Sequence, residues 1–539
     1  MNTKIIHKFL ENGFLPSPDI TEDFRDIENI LDNKNETILC VINNDLLNAF
    51  SNGFDPEANI NWHEFDKSKA LLEMGRDNNA YNVFLDILNY NNSNKKQEEI
   101  KKLLEEVGKE ENKIYLEDEN SHAGVVIIKT YQELSDKIEV DNFVSYLKFR
   151  YNFMKGLFLN RGELINSISL NRIKTKQDRE GVSIIGVVSN KKITKKGNLL
   201  VTLEDPTGSV NLIINKQNEI FEEAKNIVLD EVIGVTGICG QDFVFVNKIF
   251  SPDIPITNEL KKTNDEVYAA FISDVHVGSR LFLKDNLLKF FDWLNGKSLN
   301  LLNRNIAKKV KYLFVVGDLV DGVGIYPEQF KELEIKDVKV QYQEAAELFS
   351  GLRKDLNIII CPGQHDALRI SEPQPFLDKE IAKPMWEIEN VTLVSNPCLV
   401  NIHASKNFPG FDVLMYHGAS FHYYIDSIDS LRQNNARDNP TEVLKFLLKK
   451  RHLAPSHSST LYIPYKDKDP LIIEKVPDIF VSGEMHRSSL MNYNNVSLIN
   501  CSCWQGKTDY QEKTGNNPDP CRVPIMNLKT REVKIYNFD

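Results

Sequence analysis

Apolar residues recur at helical spacing through the first 90 residues, in clusters such as Ile27, Ile30 and Leu31, or Val83, Phe84, Leu85, Ile87 and Leu88. This pattern predicts a small helical N-terminal domain over 1–90. A mixed-charge stretch follows, passing through Lys95-Lys96-Gln97-Glu98-Glu99 and ending its repeats near Glu105-Glu106, and predicts a flexible charged linker over 91–120. Helical patterning resumes with Phe143, Tyr146, Leu147, Tyr151 and Phe153 as apolar anchors, a helical connector over 121–175. From Gly181 the period changes to two. Val182-Ser183-Ile184-Ile185-Gly186-Val187-Val188 and Leu199-Leu200-Val201-Thr202-Leu203 read as strands, separated by the basic turn Lys191-Lys192-Ile193-Thr194-Lys195-Lys196-Gly197-Asn198.

The turn Pro206-Thr207-Gly208-Ser209 returns the chain into Val210-Asn211-Leu212-Ile213-Ile214, a helical piece spans 218–225, and strands at Val232–Gly237 and Phe243–Val246 complete the set. Five short strands with a helix between the third and fourth is the order of an OB-fold, placed at 176–255. The first three strands carry no aromatic residue, and Phe243 and Phe245 are the aromatics of the fifth. Single-strand binding by stacking needs aromatics on the sheet face, so a scaffold barrel is the favoured reading over a single-strand binder. Lys191, Lys192, Lys195 and Lys196 are candidates for touching a phosphate backbone, though a solvated hairpin tip is the commoner meaning of such a run.

Past the stiff linker Ser251-Pro252-Asp253-Ile254-Pro255, apolar strands alternate with helices over 264–539. The chain therefore reads as α/β plus all-β, with two to four domains in 539 residues. No apolar stretch reaches the roughly 18 residues of a membrane span, and the first residues lack an export signal, so a cytoplasmic protein is expected. Seven scattered cysteines then read as reduced and buried. The net charge of −12 argues against a free-standing, non-specific DNA binder and leaves room for a subunit that borrows DNA affinity from a partner.

Candidate chemistry sits where the α/β strands end. Val267–Ile272 runs into Ser273-Asp274-Val275-His276, Val310–Val316 into Gly317-Asp318, and Leu356–Cys361 into Pro362-Gly363-Gln364-His365-Asp366. Val413–Tyr416 runs into His417-Gly418, and Val476–Ser482 into Gly483-Glu484-Met485-His486. Asp274 and His276, two apart at a strand end, point the same way and can bind one ion together. Clustered at the strand ends of one sheet, such oxygen and nitrogen donors would hold two divalent ions side by side, an arrangement that clamps both the attacking and the leaving oxygen of a phosphate ester.

The order of these five segments resembles the calcineurin-like metallophosphoesterases. The resemblance implies a two-layer β-sandwich flanked by helices, with Asp274, His276, Asp318, Gln364, His417, Glu484 and His486 as metal ligands. It makes Asp318 the bridge between two ions, His365 the catalytic histidine over the phosphate, and Asp366 its orienting partner. Two positions depart from the pattern: Gln364 stands where the superfamily has Asn, and Glu484 where it has His. Both keep a ligating oxygen, and the carboxylate shifts the preference toward hard ions. Mn²⁺ is the expected ion, with Mg²⁺ or another divalent cation as the alternative.

Three stretches narrow the resemblance. Phe271–Ser279, Gly317–Pro327 and Asn500-Cys501-Ser502-Cys503-Trp504-Gln505-Gly506-Lys507-Thr508-Asp509-Tyr510-Gln511 are similar to the small subunit of archaeal family D DNA polymerase. That family implies a metal-dependent 3′-to-5′ proofreading exonuclease bound to a large polymerising subunit. Its implied substrates are single-stranded or mismatched DNA 3′ ends, with the sliding clamp as a further candidate partner. A catalytically impaired scaffold subunit of the same polymerase is the alternative, and a stand-alone phosphoesterase a third reading.

Overall fold

A computed structural model describes residues 15–16, 41–42, 124–132, 138–240, 243–297 and 301–539. Within residues 1–116, a separate unit, the described part is one short parallel pairing of β1 (Leu15–Pro16) with β2 (Val41–Ile42). The expected N-terminal helices and the charged linker otherwise lie outside the described residues.

The connector differs from its expected form. Val125–Lys129 is a strand, β3, not a helix. Its run of β-branched residues after Gly124 favours extended backbone, and alternate side chains at Val125 and Ile127 are buried. The helical part is α1 (Val140–Leu159), followed by a short 3₁₀ turn at Leu170–Thr175. Tyr146, Arg150, Tyr151, Met154 and Phe158 form the buried face of α1.

Strands β4 (Gly181–Ile193), β5 (Leu199–Asp205), β6 (Gly208–Ile214), β7 (Val232–Cys239) and β8 (Phe243–Phe250) close a barrel in the order β4-β5-β6-β8-β7. Helix α2 (Phe221–Ala224) lies between β6 and β7, as the OB-fold pattern requires. Phe243 and Phe245 both point out of the barrel. Lys191 is not available to a phosphate backbone: its Nζ donates to the carbonyls of Lys225 and Ile227, at 2.5 and 2.7 Å.

The remainder is mixed α/β and carries two six-stranded sheets. One holds β9 (Tyr268–Ile272), β10 (Val310–Val316), β11 (Asn357–Cys361) and β12 (Val391–Leu393), all parallel, then β18 (Arg522–Asn527) and β19 (Val533–Asn537). Their order is β12-β11-β10-β9-β18-β19. The other combines β13 (Cys398–Ile402), β14 (Phe411–Met415), β15 (Ile479–Ser482), β16 (Ser489–Tyr493) and β17 (Val496–Asn500) with β3, in the order β16-β17-β15-β14-β13-β3. The sheets face each other across one apolar core, to which Phe271, Phe314 and Ile359 contribute from the first and Val413, Val481 and Ile499 from the second.

A second core covers the outer face of the first sheet, under α3 (Lys284–Leu294), α4 (Leu301–Lys309) and α5 (Val338–Ser350). A third covers the second sheet under α6 (Phe421–Ser427) and α7 (Thr441–Lys450). Strands buried on both faces explain the unbroken apolar runs in the sequence. Two buried cations tie the barrel to this domain. Arg150 donates to Asp469 at 2.7 Å and to the carbonyls of Pro455 and Asp230, while Lys450 pairs with Glu231 at 2.6 Å. Among the described residues no helix is long and apolar enough to cross a membrane, and the six described cysteines are buried and unpaired.

Candidate metal centre

Register brings the motif loops together. Ile272 of β9 pairs with Val315 of β10, and Val316 with Cys361 of β11, so Asp274, Asp318 and Gln364 leave the same edge of one sheet. In the facing sheet Met415 of β14 pairs with Val481 of β15, and His417 and Glu484 leave the matching edge. Ligands gather at the carboxyl ends of parallel strands for this reason. The turns are tight enough to force left-handed backbone on residues with side chains: φ is 51° at Asp274, 54° at His276, 51° at Asp318, 68° at Glu484 and 53° at His486. Such conformations are costly and concentrate at functional sites. Two glycines are obligatory for closeness. A Cβ at Gly317 would lie 2.1 Å from His417 Nδ1, and one at Gly363 would lie 2.2 Å from Asp318 Oδ1.

The donors fall into three overlapping groups, of which one is His276, Asp318 and His365 and the remaining two share Asp274. Asp274, His276 and His486 form one: His486 Nε2 is 3.3 Å from Asp274 Oδ1 and 3.4 Å from His276 Nε2. Asp274, Asp318 and His417 form the other: His417 Nε2 is 3.2 Å from Asp318 Oδ2 and 4.0 Å from Asp274 Oδ1. Asp318 Oδ2 is also 4.0 Å from His276 Nε2, which puts this carboxylate between the groups. Glu484 closes the second group, with Oε2 3.2 Å from His417 Nε2.

Gln364 Oε1 is buried with no hydrogen-bond partner, whereas Asp274 Oδ1 and His417 Nε2 meet only ion-pairing groups of the cluster itself, His486 Nε2 at 3.3 Å and the Asp318 and Glu484 carboxylates at 3.2 Å. Buried polar atoms are nearly always bonded. An oxygen and nitrogen donor set of carboxylate, imidazole and amide, with the amide oxygen unsatisfied, fits divalent cations. Burial opposes charge on His417, but Asp318, Glu484 and Asp274 hold it well above the ordinary histidine range. The same electrostatics lower Asp318, where the charges of His417 and His365 overcome burial.

His365 stands at the rim. Its Nδ1 is 2.9 Å from the carbonyl oxygen of Asp321, its main-chain N–H donates to Asp318 Oδ1 at 2.8 Å, and its ring meets that of His276 edge-on. Against burial, Asp318 and Asp321 raise it above the ordinary histidine value. The ring borders a 430 Å³ cavity that is also lined by Val323, Ile325, Val338 and Arg369.

Asp366 does not orient His365. Its carboxylate accepts from Gly363 N at 2.9 Å, Tyr342 Oη at 3.0 Å and Leu319 N at 3.3 Å, bracing the two loops that carry Asp318 and Gln364. Burial and the Asp318 charge push it up to about 6. Adjacency in sequence suggests a partner for His365, but the turn sends the two side chains apart. The orienting role falls to Asp321, which also takes His276 Nδ1 at 2.9 Å. Gln505 Nε2 donates to Asp321 Oδ1 at 3.1 Å, and Gln511 Nε2 is 2.9 Å from His486 Nδ1. Both glutamines belong to the Asn500–Gln511 stretch, which thus braces Asp321 and the candidate ligand His486 from behind.

A sequence profile for the B-subunit of DNA polymerase alpha/epsilon matches residues 269–490, and one described as OB-fold nucleic acid binding domain matches 182–243. The chain is 37% identical over 390 residues to the DNA polymerase II small subunit of Methanothermobacter thermautotrophicus, covering 72% of this chain and 78% of that protein. The chain belongs to this family, the small subunits of archaeal family D DNA polymerase. The small subunit of Pyrococcus furiosus is 34% identical over 405 residues, covering 75% of this chain and 64% of that protein. That of Halobacterium salinarum is 34% identical over 402 residues, covering 74% and 75%.

Proposed function

We propose that the chain is the 3′-to-5′ proofreading exonuclease subunit of its polymerase, working on single-stranded or mismatched 3′ ends alongside a large polymerising subunit. The observation that carries this reading is the convergence of buried ligating side chains, Asp274, His276, Asp318, His417 and His486, where the strands end, with Gln364 Oε1 buried and unbonded.

Two divalent ions, Mn²⁺ by preference, are the proposed cofactors of a calcineurin-like centre. Asp274, His276 and His486 would hold one, and Gln364, His417 and Glu484 the other, with Asp318 shared. When bound, the pair supplies Lewis acidity that activates water and neutralises the scissile phosphate. The chain's own residues do the rest. Asp321, through its main-chain oxygen, fixes the proton of His365 on Nδ1 and leaves Nε2 for the substrate. In its protonated form His365 donates from Nε2 to the departing O3′ as water attacks phosphorus and the P–O3′ bond breaks, releasing a nucleoside 5′-monophosphate. The cavity lined by Val323, Ile325 and Arg369 is the proposed seat of the substrate beside His365.

A scaffold role is the second reading, favoured by one contact: His417 Nε2 lies 3.2 Å from both Asp318 and Glu484, so charge in the second group balances without an ion. The test is release of 3′ nucleotides from a labelled mismatched primer, with and without the large subunit, in Mn²⁺ against chelator. Metal-dependent release is expected; none under either condition would leave the scaffold.

A further inference from the structure

We propose that His422 is a positioning residue for Glu484, holding that carboxylate in place as a ligand of the second ion; the inference rests on the metal reading above. Glu484 occupies the position where an imidazole belongs in the superfamily pattern. A glutamate at this place has two oxygens rather than one donor nitrogen, and an extra rotatable bond. Left to itself it would swing and present its charge to the substrate phosphate.

The chain removes that freedom from both ends. The Glu484 N–H donates to Asp274 Oδ2 at 3.1 Å, and its φ of 68° fixes an unusual backbone. Its carboxylate is then divided between two imidazoles: Oε2 lies 3.2 Å from His417 Nε2, and Oε1 lies 3.3 Å from His422 Nε2. One oxygen therefore faces the donor group of Asp318 and His417. The other is turned outward onto a side chain with no place among the ligands.

Both imidazoles come from one short stretch. His417 follows β14 and His422 is the second residue of α6. Between them Gly418, at a φ of 130°, lets the chain turn so closely over Glu484 that a Cβ at 418 would lie 3.0 Å from the glutamate's own Cβ. The side chain of His422 is 43% exposed and that of Glu484 17%. Position 422 is thus not a core position whose loss would unfold the domain. An N–H from His422 Nε2 satisfies the outer oxygen, fixes the last torsion of the side chain and offsets part of the added negative charge. This is the support that metal ligands generally receive from a hydrogen-bonding neighbour.

The experiment titrates Mn²⁺ into the full-length chain by calorimetry, with stoichiometry checked by electron paramagnetic resonance. The variants are His422→Leu, His422→Gln and Glu484→His, and the double change of Glu484→His with His422→Leu. Two Mn²⁺ are expected for the unaltered chain. His422→Leu should leave one ion unchanged and weaken the other about 10- to 100-fold. His422→Gln, which keeps an N–H donor, should recover most of that loss. In the Glu484→His background, where no carboxylate needs holding, His422→Leu should have no further effect. Equal binding of both ions by His422→Leu and the unaltered chain would overturn the proposal while leaving the metal centre intact. Binding of no Mn²⁺ by the unaltered chain would overturn the metal reading and this inference with it.

Discussion

The carboxylate of Asp321 lies 2.9 Å from Nδ1 of His276 and is itself held by Gln505 and Gln329. Bonding at Nδ1 fixes the tautomer and turns His276 Nε2 toward Asp274 and His486. Asp321→Ala should therefore weaken the first ion about 10- to 100-fold without removing any direct ligand. Mn²⁺ titration checks this. Unchanged affinity would mean that His276 needs no such partner.

Asp318 and His365 should behave differently from each other. Asp318→Ala removes the carboxylate between the two donor groups, so metal uptake and cleavage should both be lost. His365→Ala should keep both ions and slow cleavage about 10²- to 10⁴-fold. Parallel measurement of bound Mn²⁺ and of 3′-nucleotide release separates the two outcomes.

Gly363 passes so close to Asp318 that a methyl group would sit 2.2 Å from Oδ1 and 2.6 Å from the main-chain nitrogen. Gly363→Ala should push the Gln364 loop away from the carboxylate. The expected result is a stability loss of about 1–3 kcal/mol, by analogy with overpacked cores, together with weakened metal binding. Thermal melts and Mn²⁺ titration on the same protein measure both.

His452 provides a pH-dependent term in stability. Its Nε2 faces Asp469 at 2.9 Å and its Nδ1 accepts the Ala454 N–H at 3.0 Å, so the ring is neutral in the fold. Burial, then the Arg150 charge, outweighs the nearby carboxylate and pushes it down to about 4. A folded value below the unfolded one, about 6.5, means that the contribution is complete above pH 6.5. It is lost as pH falls toward 4, by up to about 3 kcal/mol. The difference in unfolding free energy between the unaltered chain and His452→Asn, followed from pH 7 to pH 4, isolates this group. A constant difference across that range would refute the assignment.

The barrel and the motif loops are legible in the sequence because their signals are local. Buried parallel strands read as continuous apolar runs, and Asp274, Asp318, His417 and His486 each sit within a few residues of a strand end. The strand Val125–Lys129 passes for part of a helical connector because it is a single edge strand whose partner, β13, lies far along the chain. The supporting residues are invisible for the same reason. Gln505 is 184 positions from Asp321, and no spacing rule links them. Asp366 is easily taken for the partner of the histidine beside it, whereas the turn places it against Gly363 and Tyr342.

Arg150 has a consequence beyond its own salt bridge. One guanidinium, buried to 3% exposure, is shared by Asp469, the Pro455 carbonyl and the Asp230 carbonyl, and so belongs at once to the helix, the two-sheet domain and the barrel. Swivelling the barrel would pull the Asp230 carbonyl off a buried guanidinium that Asp469 and Pro455 hold on the other side. With the Lys450–Glu231 pair as a second buried tie, the barrel is held as a fixed bracket on the domain and not as a tethered hand.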